Sequence, residues 1–280
     1  MKFTQRGPSY IAPYSPGKLG NEFLNDGLKM TNFVRYLSEI PYDLVLDQNL
    51  TGQAQYGATL ERAVGQLTHY PIQLPDMSDD FFNKGYKSTT SSNIGYGFSS
   101  ISDSIKAYMS DSDMTNIDRI GHRRWLLNPG LKKIGFGYAD GYTTTQVFDN
   151  SRNTATAYDS IMWPNKGNFP VDFFAGDDAW SITLNPLKYK LPLLSLVSVN
   201  ITKQEDGETW VLNNKTDNSV AKDYFNVNTD GYGVSNCIIF RPGNISKYSS
   251  GDIYNVIITG IEDINGNPCS IKYKVNFFNL

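Results

Sequence analysis

The sequence predicts an α+β protein made of two successive blocks, and three observations predict it. From about Gly20 to Leu127, apolar residues recur at helical spacing. Beyond Pro129 they fall into short runs separated by Gly, Asn, Asp and Pro, which is the texture of strands and turns. The length, 280 residues, exceeds a usual single domain and is enough to bury cores without metal or disulfide staples. The change of texture places the boundary near residues 155–170. The second block reads as an all-β immunoglobulin-like or similar sandwich.

The elements follow in order. In NEFLNDGLKMTNFVRYLSEIP, residues Leu24, Leu28, Phe33, Val34, Leu37 and Ile40 lie near one stripe of a helix. Asn21 and Glu22 supply a cap and an acidic first turn, and Pro41 stops the helix. NLTGQAQYGATLERAVGQLTHYP repeats the device, with Leu50, Ala54, Ala58, Val64 and Leu67 on one face and His69 at the end. Ser102 or Asp103 caps a third helix carrying Ile101, Ile105, Tyr108 and Met109. A short fourth runs from Ile117 to Leu127 and is ended by Asn128-Pro129-Gly130. KKIGFGYADGYTTTQVFD reads as a hairpin turning at Asp140-Gly141. SRNTATAYDSIMWPNKGNFP reads as loop. AWSITL, LLSLVSVNITKQ, ETWVLN, CIIFRP, IYNVIITGIED and CSIKYKVNFF read as strands, with Trp180 and Trp210 inside them.

Composition narrows the function classes. Net charge is −3 with both signs interspersed, so no basic stripe exists to neutralise a run of phosphates, and nucleic acid is excluded as a partner. No apolar run reaches membrane-spanning length. MKFTQRGPSYIAPYSPG has no apolar core, so no signal peptide is read in this chain; a processed secreted protein would look the same. The spacing of Cys237 and Cys269 is no metal knuckle. Two separate thiols and one disulfide across two strands, implying an oxidising compartment, are both compatible with their strand-like surroundings.

The reactive inventory is thin. No nucleophile elbow, phosphate-cradling glycine loop or HExxH stands in the helical block. His69 and His122 are the only histidines. A lone histidine near a helix C-terminus is most simply a dipole-compensating residue. His69 fits that account. His122 does not, because it lies inside its helix beside Arg123 and Arg124.

Four segments together resemble the CAP superfamily: cysteine-rich secretory proteins, antigen 5 and pathogenesis-related 1 proteins, and more closely its bacterial extracellular branch. LTHYP matches the first family histidine. TTSSNIGYG falls at the Gly-Glu-Asn segment, SIKAYMSD at the helix ending in an acid, and IGHRRWLLNPGLKKIGFG at the Gly-His segment with its following strand. The resemblance covers residues 20–160, leaving 1–19 as an N-terminal extension and 161–280 as the β-sandwich domain. It implies an α-β-α sandwich with a shallow cavity lined by two histidines and two acids, the histidines holding zinc or another divalent cation in several members. Carried over, the metal-binding positions are His69 and His122, and the helix acid is Asp111. The other acid position departs from the family, with Ser92 there and Asn93 following it. Ser92, Asn93 and Arg124 are candidate cavity residues.

Three functions follow from that resemblance. The first is a secreted or cell-surface binding protein, monomeric, whose cavity takes a cation or a cell-wall, lipid or protein ligand. The second is a metal-assisted hydrolase, peptidase-like, with His69, His122 and Asp111 as catalytic residues; Asp111 cannot serve there as both ligand and base. The third is a structural surface protein with an inactive cavity. For the neighbouring residues the structural account comes first. One of Arg123 and Arg124 is expected to face solvent while the other pairs with Asp111 or Asp149, Trp125 and Leu126 fill core, Asn93 holds a turn, and Lys132 and Lys133 begin a solvated strand.

Overall fold

The computed structural model describes residues 2–3, 7–153, 157–219 and 223–280. The chain divides into two compact units whose sequences interleave. The first takes residues 1–36, 41–108 and 128–156; the second takes 37–40, 109–127 and 157–280. Helices and strands occur in quantity, as the α+β reading expects.

In the first unit, α1 (Asn21–Leu37) begins at Asn21 with Glu22 in its first turn. Strand β1 (Val45–Leu46) leads into α2 (Gln48–Val64), which Asp47 caps by accepting from the amides of Asn49 and Leu50. Gly65, in the left-handed conformation, ends α2 five residues before Tyr70. His69 therefore sits in the loop after the helix rather than in its last turn, and Leu67 is exposed there instead of packing. Helix α3 (Asp79–Thr89) was not anticipated, although Ser78 caps it and Asp79 and Asp80 fill its first turn. Only eleven residues long, it packs Phe81 with Leu60 of α2 and Met77. Strand β2 (Ser92–Gly95) and α4 (Ile101–Ser110) follow, then the hairpin of β3 (Lys133–Ala139) and β4 (Tyr142–Gln146). The hairpin turns where expected, with Asp140 at φ 48° and Gly141 at φ 90°.

The sheet order is β1-β3-β4-β2, with β1 parallel to β3 and the other pairs antiparallel. Helix α2 lies directly on β3, because the strand offers glycine where the helix backbone passes. A Cβ on Gly135 would stand 2.2 Å from the Leu50 carbonyl carbon, and one on Gly137 2.2 Å from the Ala54 oxygen. Small residues on the helix, Ala54 and Ala58, complete this close approach.

Among its described residues the second unit holds α5 (Gly121–Leu126) and nine strands. Two of them, β5 (Ser160–Trp163) and β6 (Gly167–Pro170), come from the stretch read as loop, of which residues 154–156 lie outside the described residues. Pro164 and Gly167 mark only the turn between these strands; the run Ile161-Met162-Trp163 is wholly buried, a pattern that shows no alternation. The others are β7 (Trp180–Leu184), β8 (Ser198–Lys203), β9 (Thr209–Asn213), β10 (Tyr224–Asn228), β11 (Cys237–Arg241), β12 (Ile253–Glu262) and β13 (Pro268–Phe278). Their sheets are ordered β10-β11-β7-β5 and β6-β13-β12-β8-β9. All these pairs are antiparallel except β6 with β13, which is parallel. Trp163, Phe169, Trp180, Phe240, Tyr254 and Phe277 are fully buried, with Trp180 Nε1 donating to the Tyr248 hydroxyl at 2.7 Å. Cys237 and Cys269 are free thiols, on β11 and β13 respectively.

Candidate functional site

Asp111 and His122 form the best defined polar constellation among the sequence candidates. Asp111 ends α4 in the left-handed conformation, φ 45°. Its carboxylate is only 4% exposed and reaches the start of α5. Oδ2 accepts from the backbone amides of His122, at 2.9 Å, and Arg123, at 3.3 Å. Oδ1 accepts from His122 Nδ1 at 2.8 Å. Ile120, preceding the helix, offers no side-chain cap, so Asp111 supplies it from eleven residues upstream. A carboxylate only accepts; Nδ1 therefore carries the proton of a neutral His122, and Nε2 carries the lone pair.

The two arginines beside His122 are structural, and neither faces solvent. Arg123 Nε donates to Met109 O at 2.6 Å, its Nη1 to Ala179 O at 2.7 Å and to Ser181 Oγ at 3.1 Å, and its Nη2 to Ser110 O. Burial lowers its pKa. Arg124 donates to Asn228 Oδ1 and to the carbonyls of Arg119, Asp230 and Val234, and its guanidinium lies 5.0 Å from the Tyr232 ring centroid. The same ring lies 2.9 Å from where a Cβ on Gly121 would stand, so this position must be glycine. Asp149, a foreseen arginine partner, instead accepts from the amides of Lys132 and Lys133 at the start of β3. Leu126 is buried and Trp125 half-buried.

In the first unit, His69 is exposed on its loop, and Nδ1 lies 2.6 Å from Thr89 O. A carbonyl cannot donate, so this nitrogen carries the proton and Nε2 the lone pair. Thr89 Oγ1 returns a bond to His69 O at 3.1 Å, clamping the loop to the end of α3. A residue the sequence reading passed over, Glu61 of α2, holds the same loop from below. Its Oε1 accepts from Thr68 N at 3.3 Å, while Oε2 has no partner among the described residues. Burial pushes its pKa up to about 9.

Ser92 sits in β2 and is buried. Its hydroxyl donates to Ser88 O at 2.7 Å and accepts from Gln146 Nε2 at 2.6 Å. Gln146 also donates to Ser88 Oγ at 3.0 Å. A neutral serine–glutamine network thus stands where the resemblance places a carboxylate. Asn93 is a strand residue opposite Thr145, not part of a turn.

The profile described as Cysteine-rich secretory protein family, CAP, matches residues 28–155. This segment is a CAP domain. It contains both histidines, Asp111 and Ser92, and it contributes Met109–Leu127 to the second unit. No curated protein matches the chain in sequence. Among solved structures, an extracellular protein containing an SCP domain from Bacillus anthracis str. Ames shares 19% identity over 45% of this chain and 39% of its own, with a TM-score of 0.34. The chain thus spans well under half the length of that protein. The archaellum periplasmic stator protein complex FlaF and FlaG from Sulfolobus acidocaldarius matches with 14% identity, a TM-score of 0.24, and coverage of 45% of this chain and 97% of its own.

Among the described residues, no group of three or more His, Cys, Asp or Glu side chains is set to hold a metal ion. Asp111 is occupied by three hydrogen bonds and acts on His122 rather than as a ligand. Both imidazoles, however, have Nδ1 committed to an oxygen acceptor, the arrangement that fixes Nε2 as donor to a metal. Among the described residues, no helix is long and apolar enough to cross a membrane.

Proposed function

We propose that the chain is an extracellular CAP-domain protein that binds divalent cations, zinc foremost, through the Nε2 lone pairs of His69 and of His122, water completing the shell at each imidazole separately. One observation carries this reading: each ring's Nδ1 is held by an oxygen acceptor, Thr89 O for one and Asp111 for the other. Asp111 is then a positioning residue that fixes the His122 tautomer and ring orientation. An imidazole with water makes a weak site, suited to binding and interaction rather than to a permanent cofactor. The hydrolase alternative requires a general base other than Asp111, whose oxygens are already engaged.

Zinc titration by calorimetry tests the proposal. Binding is expected at about pH 7.5 and lost at about pH 5, since imidazole must be unprotonated to ligate. His69→Ala and His122→Ala should each remove one of the two binding events, and Asp111→Asn should weaken the event at His122 about tenfold by loosening the tautomer. If the double histidine variant keeps the wild-type affinity, the proposal is wrong.

A further inference from the structure

Six strands stand at the edges of the three sheets among the described residues: β1, β2, β5, β6, β9 and β10. An open edge offers unpaired N–H and C=O groups to any other strand, so folded chains close theirs. Five of these are closed. Strand β1 has only two residues. Ser92, Asn93 and Ile94 of β2 are buried, and so are Ile161, Met162 and Trp163 of β5. Strand β6 is four residues long and ends in Pro170, which has no N–H to offer. On β10, Asn218 accepts from the Phe225 amide and donates back to the Phe225 carbonyl, both at 2.9 Å.

Strand β9 has none of these devices. TWVLN carries no proline and no charge, and it pairs with β8 without a bulge. In the turn joining the two strands, Lys203 N donates to Glu208 O at 2.9 Å. Bonded pairs alternate along an antiparallel ladder. Trp210 and Leu212 therefore turn their N–H and C=O groups to β8, while Thr209, Val211 and Asn213 turn theirs outward. Exposure follows the same alternation: Trp210 and Leu212 are buried, Thr209 is exposed and Val211 is 58% exposed. Asn213 is already engaged, since its amide donates to Thr216 Oγ1 and its carbonyl accepts from Thr216 N, both at 2.9 Å. Thr209 and Val211 are left facing the open side.

We propose that β9 is a self-association surface: it pairs antiparallel with β9 of a second copy of this chain, about a twofold axis at Trp210. The open groups choose the register. An axis at Trp210 sets Thr209 opposite Val211 of the second copy, and every outward N–H and C=O of those residues closes in reciprocal bonds. An axis at Val211 would instead set Thr209 against Asn213 of the second copy, whose amide is already engaged. In the chosen register the β-branched Thr209 and Val211 lie side by side on one face, a favourable cross-strand pair. Charge agrees with a second copy as the occupant. The turn before β9 carries Glu205, Asp206 and Glu208, all exposed, and the segment after it carries Lys215, also exposed. Antiparallel pairing brings the acidic turn of each copy to the lysine end of the other. The chain is thus a weak dimer, not the monomer expected from the sequence.

Sedimentation and hydrogen exchange on the full chain test this. At about 0.5 mM, chosen because so short an interface binds weakly, the mass of two chains is expected, falling to that of one on dilution by about a hundredfold. Exchange at the Thr209 and Val211 amides should be at least about threefold slower at the higher concentration, while Trp210 and Leu212 are protected equally at both. Val211→Pro, which removes an outward N–H and leaves the β8 ladder intact, should be a single chain throughout. Val211→Lys, at a side chain already largely exposed, sets like charges diagonally across the pair and should weaken association about tenfold. Should the proline disturb the near-ultraviolet circular dichroism, Val211→Lys and the exchange rates decide alone. A single-chain mass for the wild type at the higher concentration, a folded Val211→Pro or Val211→Lys protein that associates as well as wild type, or Thr209 and Val211 amides equally protected at every dilution would each overturn the proposal.

Discussion

A buried carboxyl group with one oxygen unpartnered among the described residues is the most consequential single residue in the first unit. Glu61 titrates at about 9 in the folded chain because burial penalises its charge. Unfolded, it ionises near the ordinary value of 4.5. Below that value both states hold the proton, so Glu61 leaves stability unaffected. Between 4.5 and 9 only the folded state holds it, and stability falls as pH rises, by about 1.4 kcal/mol per pH unit. Urea unfolding midpoints should therefore drop steadily from pH 5 to pH 8. Glu61→Gln should flatten that slope and be more stable than wild type by about 5 kcal/mol at pH 8. A slope that Glu61→Gln leaves unchanged would show that Glu61 ionises normally. Nothing in LERAV announced this residue, because a glutamate in an amphipathic helix reads as solvated until the loop folds back over it. His122 was legible because its motif is long and specific, and Asp111 only through the order of the weaker segments around it. The hydrogen bonds that tie them were not, since they join residues eleven apart through a left-handed turn.

At the scale of elements, glycine decides how closely a helix and a strand approach. Gly135→Ala should cost about 3 kcal/mol, because the clash is with the Leu50 backbone and cannot be relieved by a rotamer change. Gly52→Ala, in the same helix where a Cβ meets nothing within 4 Å, should instead stabilise by about 0.5–1 kcal/mol. Chemical denaturation of the two variants measures both. The hairpin of β3 and β4 and most later strands were readable, since Asp140-Gly141 and period-two alternation are local signals. The end of α2 was misplaced by the apolar Leu67, while the Gly65 that stops the helix was overlooked. Short α3, and β5 and β10 with little or no alternation, left too weak a pattern for the sequence to show.

For the whole molecule, the chain does not cut where its texture changes. Residues 109–127 belong to the CAP-domain sequence yet pack within the second unit, with Ile117 and Ile120 in one core cluster with Ala179, Tyr224 and Ile239. A polypeptide ending at Ser160 would leave Arg123 without Ala179 and Ser181, and Arg124 without Asn228, Asp230 and Val234. It should lose the α5 helix and aggregate, measured as missing protected amides over Gly121–Leu126 and poor solubility. A soluble fragment that keeps those amides protected would show that the buried guanidiniums find other acceptors.

The same two arginines impose an order on biosynthesis. They leave the ribosome more than a hundred positions ahead of Val234, which accepts from one of them. Until that carbonyl is translated, a charged segment waits without its acceptors, and the nascent chain cannot finish one half before beginning the other.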